Sequence, residues 1–291
     1  LYFRVMLNFC VATSCEELVT SDISFLKDYL RAERVDVLGT LGAQFEVKRK
    51  LIPTVILLNS GKKIDLNFIS EDDRRVHLLV SDMDGTILEE ECIDEIAELV
   101  GKGPEVKKIT TLAMKEGLNF EEALERRLAL IKGTRIEVLE KCLDKRINIR
   151  HGAEVLFKTF KKNFGETAIL SGGFTFFSDR VQRELKADFS FANVLEFKSN
   201  RLTGKILGSK INSEKKTELM KQLSARQGKK TTNVVAVGDG NNDIGMISES
   251  GMGISFKGGH QVNLAAKHVL KNSNISAILH LLGLREDQFV Y

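Results

Sequence analysis

Four aspartates have the spacing that could do chemistry. Asp82 and Asp84 stand two apart in His77-Leu-Leu-Val-Ser-Asp-Met-Asp-Gly-Thr86. Asp239 and Asp243 stand four apart in Gly238-Asp-Gly-Asn-Asn-Asp243. Each pair follows a short apolar run, and a third run, Thr167-Ala-Ile-Leu, ends in Ser171-Gly172-Gly173. Continuous apolar runs of this length suit strands buried on both faces, as in a parallel sheet. Ligands of open α/β sheets bind outside the carboxyl ends of such strands. The pattern therefore predicts that Asp82, Ser171 and Asp239 meet at one sheet edge, with Asp84 just beyond, where Gly85 lets the chain turn sharply. Carboxylates gathered in one cleft repel each other and need a cation or raised pKa values. All-oxygen donors of this kind favour magnesium. A lone Asp at a strand end is commonly a turn or a cap, but three such ends in succession exceed that explanation.

The elements that must position these groups follow from periodicity. After Thr86 the pattern turns helical. Glu91, Ile93, Ile96, Ala97 and Val100 form an amphipathic stripe ending at Gly101. Pro104 opens a helix to Glu116, Asn119 and Glu122 make a capping-box-like start for a third, and Arg135 to Lys145 is a fourth. An all-helical insert at 91–147, just past a catalytic strand end, is placed to act as a lid. On its third helix Phe120, Leu124, Arg127 and Ile131 share one face, while Arg126 points away. A guanidinium on an apolar stripe needs an anionic partner, either a substrate or a lid glutamate. Strand–helix alternation then resumes through Thr167–Ser171, Asn233–Asp239 and Met252–Phe256, with a small hairpin at Arg201–Leu207. This is an α/β protein with a parallel sheet and helices on both faces.

Residues 1–72 read as a separate small α/β module. Its strands are expected near Phe3–Cys10, Val35–Leu38, Phe45–Val47 and Pro53–Leu58, with one helix carrying Ile23, Leu26, Tyr29 and Leu30 after a cap at Ser21 or Asp22. Residues 69–75 suit a linker, and residues 73–90 with 148–291 make the core. The module holds no cluster of catalytic residue types, so packing or homodimerisation is its expected role. A net charge of +3 is small against 43 basic and 40 acidic residues, and no basic face carries interleaved aromatics, which argues against nucleic acid as a partner. No run is long enough to span a membrane and no secretory signal precedes the module. The four cysteines (Cys10, Cys15, Cys92, Cys142) lack metal-site spacing and fit reduced thiols, so a cytoplasmic location is expected. Met6 is read as a candidate native start.

Taken together, the DMDGT, SGGF (171–174) and GDGNND (238–243) stretches resemble the signature motifs of the haloacid dehalogenase superfamily. Within it the chain is similar to the phosphoserine phosphatases, through Glu91–Ala97, Leu118-Asn-Phe120, Arg127–Lys132 and Phe191-Ala-Asn193. The resemblance covers about 76–283. Gly85 departs from it, because the phosphoserine phosphatases usually carry serine there while the wider superfamily commonly carries glycine. The resemblance implies a Rossmannoid core with a helical cap. It implies magnesium-dependent hydrolysis of O-phospho-L-serine, the last step of serine biosynthesis, through an aspartyl-phosphate on Asp82. In that scheme Asp84 is the general acid and base, and magnesium is held by Asp82, Asp239 and the main-chain carbonyl of Asp84. Ser171, Gly172 and a lysine hold the phosphate. Of Lys215 and Lys216, Lys216 lies nearer the inward stripe of Leu219, Met220 and Leu223. Asn242 and Asp243 orient the metal waters and that lysine. Arg127 meets the substrate carboxylate, Glu91 its ammonium, and Met114 with Phe120 close over it. Transfer to another alcohol, another phosphomonoester as substrate, and a binding protein without turnover remain the rival expectations.

Overall fold

The computed structural model of the protein describes residues 8–48, 53–58, 60–116 and 119–291, without the side chains of 113–116 and Phe120. Met6 and the start of the strand expected from Phe3 lie outside them. The chain runs through β1 (Asn8–Thr13), α1 (Thr20–Leu30), β2 (Val35–Gly39), β3 (Gly42–Val47), β4 (Thr54–Leu57) and β5 (Lys63–Ser70). These strands form an antiparallel sheet in the order β2-β3-β1-β5-β4. β6 (Leu78–Ser81) follows, then the helical insert α2 (Cys92–Leu99), α3 (Gly103–Glu116), α4 (Phe120–Leu130) and α5 (Ile136–Lys145). The remainder is α6 (Ala153–Asn163), β7 (Glu166–Phe174), α7 (Thr175–Leu185), β8 (Phe189–Lys198), β9 (Arg201–Leu207), α8 (Ser213–Arg226), β10 (Val234–Gly238), α9 (Ile244–Glu249), β11 (Met252–Phe256), α10 (His260–Ala265), β12 (His268–Leu270) and α11 (Ala277–Leu281).

The second sheet has the order β12-β11-β10-β6-β7-β8-β9 and is parallel except for the terminal β8–β9 hairpin. Its strands bury both faces because their residues are apolar on both sides. Leu78 and Val80 pack with Leu219, Met220 and Leu223 of α8 and with Met246 of α9. Leu79 faces the other way, toward Phe157 and Phe160 of α6 and Phe177 of α7. The chain leaves β6 for β7 on one side and returns to β10 on the other. β6 is therefore the point where strand order reverses, the place where open α/β sheets bind ligands.

Several local expectations shift. The linker expected at 69–75 is shorter, since Ile69 and Ser70 still pair with Phe9 and Asn8. β5 escapes sequence reading because its polar alternates are not solvent-facing. Asp65 and Asn67 are fully buried against the second sheet, where Asp65 accepts from the Lys271 and Asn272 amides at 3.0 and 2.9 Å. Asn67 accepts from the Val269 amide at 2.8 Å and donates to its carbonyl at 3.0 Å. β8 and β12 were likewise not signalled as strands. α1 begins earlier, after Val19, with Asp22 accepting the Val19 amide rather than capping from outside. On α4 the expected capping box does not form. Asn119 accepts from the Glu121 amide at 3.1 Å, while Glu122 pairs with Arg126 one turn along. The amphipathic phase holds: Arg126 is exposed and Arg127 is buried.

Candidate active site

Asp82 follows β6 directly, and its amide donates to the Val237 carbonyl of β10 at 2.9 Å. The ends of β6, β7 and β10 are neighbours, so Asp82, Ser171 and Asp239 share one sheet edge. Gly85 turns the chain with φ 72°, and a Cβ there would lie 2.6 Å from Asp239 Oδ2. A serine at this position would thus need Asp239 to move, which gives the departure to glycine a local reason. Thr86 donates to Asp239 Oδ1 at 2.6 Å, which fixes that carboxylate beside the loop.

Lys216 lies on the inward face of α8 and is fully buried between two carboxylates. Its Nζ is 2.6 Å from Asp82 Oδ1 and 2.6 Å from Asp243 Oδ1. Burial alone would lower its pKa, but Asp243 and Asp82 outweigh it and hold the ammonium charged. Lys215 points out instead and pairs with Glu218. Asp243 also accepts the Gly240 amide at 3.0 Å. The lysine is thus oriented by Asp243 alone of the expected pair, and Asn242 lines the cleft.

Asp84 turns away from this cluster. It accepts the Cys92 amide at 2.9 Å and the Ser171 hydroxyl at 3.3 Å. Burial pushes its carboxyl up, the Cys92 contact opposes this, and Asp82 adds to the rise. A carboxyl so placed can carry a proton where an ordinary one could not. Ser171 Oγ also accepts the Gly173 amide at 2.8 Å. The Gly172 carbonyl is held by Asn193 at 2.8 Å, and Asn193 in turn accepts the Ile211 amide at 2.8 Å.

Asp82, Asp239 and Asp243 place carboxylate oxygens within 4.8 Å of one another. Burial pushes Asp239 up to about 7, with Asp82 adding to it and Thr86 opposing. Asp243 is raised for the same first reason and by Asp82, against Lys216. The oxygen-only donor set and this crowding of charge fit a hard divalent cation. The Asp84 side chain is not among these donors.

The cap roofs a cleft of about 510 Å³ lined by the carboxylates and, from the insert, by Glu91, Thr110, Leu124 and Arg127. Arg127 is 8% exposed, and its Nε donates to the Ala123 carbonyl at 3.4 Å. Among the described residues it makes no ion pair. Glu91 faces the cleft, and its carboxyl is pushed well up, by the surrounding protein first and then by Asp84 and Asp239, with Arg127 opposing. Met114 belongs to α3 and Phe120 opens α4, but their side chains lie outside the described ones. Sequence reasoning missed the supports. Cys92 acts through a backbone amide, which no residue type signals. His260 and Gln261 enter the cleft from a distant helix without a motif. Thr86 and Asn193 stood inside the quoted motifs and could have been found there.

A family model described as haloacid dehalogenase-like hydrolase matches residues 79–248, more than half the chain. The chain belongs to this family. A phosphoserine phosphatase of Archaeoglobus fulgidus is 39% identical over 224 residues, 77% of this chain and 65% of that protein's length. A solved structure described as a phospho-aspartyl intermediate analogue of phosphoserine phosphatase superposes with TM-score 0.67 at 36% identity, covering 70% of this chain and 98% of the other. A haloacid dehalogenase family hydrolase from Salmonella enterica serovar Typhi covers 95% of this chain and 98% of its own at TM-score 0.77. At 24% identity that likeness concerns the fold, and it takes in the small antiparallel sheet as well as the core. Among the described residues no helix is long and apolar enough to cross a membrane.

Proposed function

We propose that the chain is a magnesium-dependent phosphomonoester hydrolase whose substrate is O-phospho-L-serine. The observation that carries the reading is the buried Arg127 guanidinium, without an ion pair among the described residues, lining the same cleft as Asp82 and Asp84. A buried cation that no carboxylate among the described residues meets at ion-pair distance fits a substrate that brings its own. The similarity to phosphoserine phosphatases supports the same choice.

Asp82 attacks phosphorus in line and the P–O bond to the seryl oxygen breaks, leaving an acyl phosphate on Asp82. Asp84 carries the proton that the leaving oxygen takes up, then removes a proton from the water that cleaves the acyl phosphate. Ser171, the Gly172 amide and Lys216 meet the phosphoryl oxygens and offset their charge. Magnesium, held by Asp82, Asp239 and the Asp84 carbonyl, would lessen repulsion between nucleophile and phosphate. Asn242 and Asp243 would stand beside the bound metal, with Asp243 also orienting Lys216. Arg127 engages the substrate carboxylate and Glu91 its ammonium, with Met114 and Phe120 closing the cap. The role assigned to residues 1–72 is packing onto the core, with homodimerisation as a further one. The test is phosphate release over a panel of small phosphomonoesters with magnesium and with a chelator. O-phospho-L-serine should be turned over best and only with the metal. Equal rates across the panel, or none, would reject the assignment.

A further inference from the structure

The two chain crossings that join cap and core are zipped together. Leu88 bridges Ile149 antiparallel, the Arg150 amide donates to the Ile87 carbonyl at 2.9 Å, and Glu90 accepts from the amide and side chain of Asn148 at 3.0 and 2.9 Å. One side chain extends this zipper into the loop that bears Asp82 and Asp84. Arg150 Nε donates to the Thr86 carbonyl at 2.7 Å, and its Nη2 donates to the carbonyls of Gly85 and Leu88 at 2.9 and 3.0 Å. The side chain is 13% exposed, and its guanidinium lies 5.3 Å from the Phe256 ring centroid. Its nearest carboxylate, Glu89, is 4.0 Å away, so the charge serves mainly backbone oxygens. A planar fork of donors suits this task, and a lysine could satisfy only part of it.

We propose that Arg150 is a positioning residue for the reaction: it holds the turn at Gly85–Leu88 so that Asp84 faces the substrate while the cap moves about the zipped crossings. Gly85 follows Asp84 directly, and its left-handed conformation leaves that turn free to relax once its carbonyl is released. Of the groups assigned to hold the substrate, Ser171, Lys216 and Arg127 sit on other elements, and Glu91 alone adjoins this segment, at the start of α2. Loosening the turn therefore costs turnover more than binding. A cavity of about 330 Å³, lined by Arg150, His151, Lys257 and Cys15 between the small sheet and the core, gives small solutes access to the guanidinium site.

This inference rests on the proposed phosphatase reading, and its test separates the two. In the full chain with magnesium, Arg150→Ala should lower kcat for O-phospho-L-serine by about tenfold to a hundredfold, the scale of a small misplacement of a reacting group, with KM little changed. Guanidinium at concentrations well below denaturing should restore much of the loss, and ammonium should not. Arg150→Lys should fall between the two enzymes and guards against a variant that fails to fold. Amide hydrogen exchange needs no substrate: it should speed up at Gly85–Glu90 in Arg150→Ala, with the rest of the core unchanged. A raised KM at intact kcat, absence of guanidinium rescue, or unchanged exchange at Gly85–Glu90 would overturn the role. A wild-type protein that releases no phosphate would instead reject the phosphatase reading, and the exchange result would then decide on Arg150 alone.

Discussion

At the scale of single residues, the site divides its carboxylates by what each one touches. Asp82 faces Lys216, while Asp84 faces a backbone amide and a hydroxyl. Asp84→Asn should leave the fold intact and lower turnover by at least ~100-fold, the usual scale for one acid–base group. Steady-state rates with circular dichroism check this, and a loss of only a few-fold would remove Asp84 from the role. The crowded carboxylates also set a pH dependence. Asp239, raised to about 7, holds its proton more tightly when folded than when unfolded. Between the ordinary carboxylate range and about 7 the folded state then binds more protons, so metal-free stability falls as pH rises through that window. Magnesium bound at Asp239 would compete with that proton, so its effect on Tm should be larger above pH 7 than below it. Melting curves with magnesium and with chelator across this range test the sign, and a metal effect equal on both sides would contradict it. Lys216 was legible because its helical phase places it on an apolar stripe. Cys92 and Arg150 were not, because Cys92 acts through its own backbone amide and Arg150 on backbone carbonyls, whose positions depend on the folded chain.

At the scale of elements, the proposed function gives selectivity to the cap and chemistry to the strand ends. α4 brings Arg127 over the cleft by helical phase alone, a feature readable from the apolar neighbours Leu124 and Ile131. Its start at Asn119 was legible from that residue's capping chemistry, and only the reciprocal half of the box is missing, because Glu122 pairs with Arg126. Arg127→Ala should lower kcat/KM for O-phospho-L-serine by roughly 2–5 kcal/mol, the range for truncating one member of a desolvated charge pair. Phosphoethanolamine lacks the carboxylate, so its slower turnover should barely change. Kinetics on both esters, with thermal melts alongside, distinguish recognition from support. A parallel loss on both esters together with a lower Tm would make Arg127 a strut of the cap.

At the scale of the whole molecule, one sheet edge and one seam organise the rest. Three parallel strand ends converge because β6 is where the strand order reverses, and the apolar runs announced that arrangement. The seam was hidden. Alternating polar residues on β5 look solvent-facing in sequence, yet Asp65 receives hydrogen bonds from Lys271, Asn272 and Ser273 of the core. Asp65→Ala should therefore lower stability by about 1–3 kcal/mol for each buried donor it strands, while kcat holds. Chemical denaturation would read this, and an unchanged midpoint would mean that the small sheet does not brace the core. The central claim, a covalent phosphoryl transfer at the converging strand ends, is tested most directly by acid-quenching the enzyme during turnover of O-phospho-L-serine and mapping the phosphoryl group by mass spectrometry. The mechanism predicts an alkali-labile phosphoryl group on Asp82, absent in Asp82→Asn, which should release no phosphate. Full turnover in Asp82→Asn, or wild-type turnover with the phosphoryl group on another residue, would contradict it.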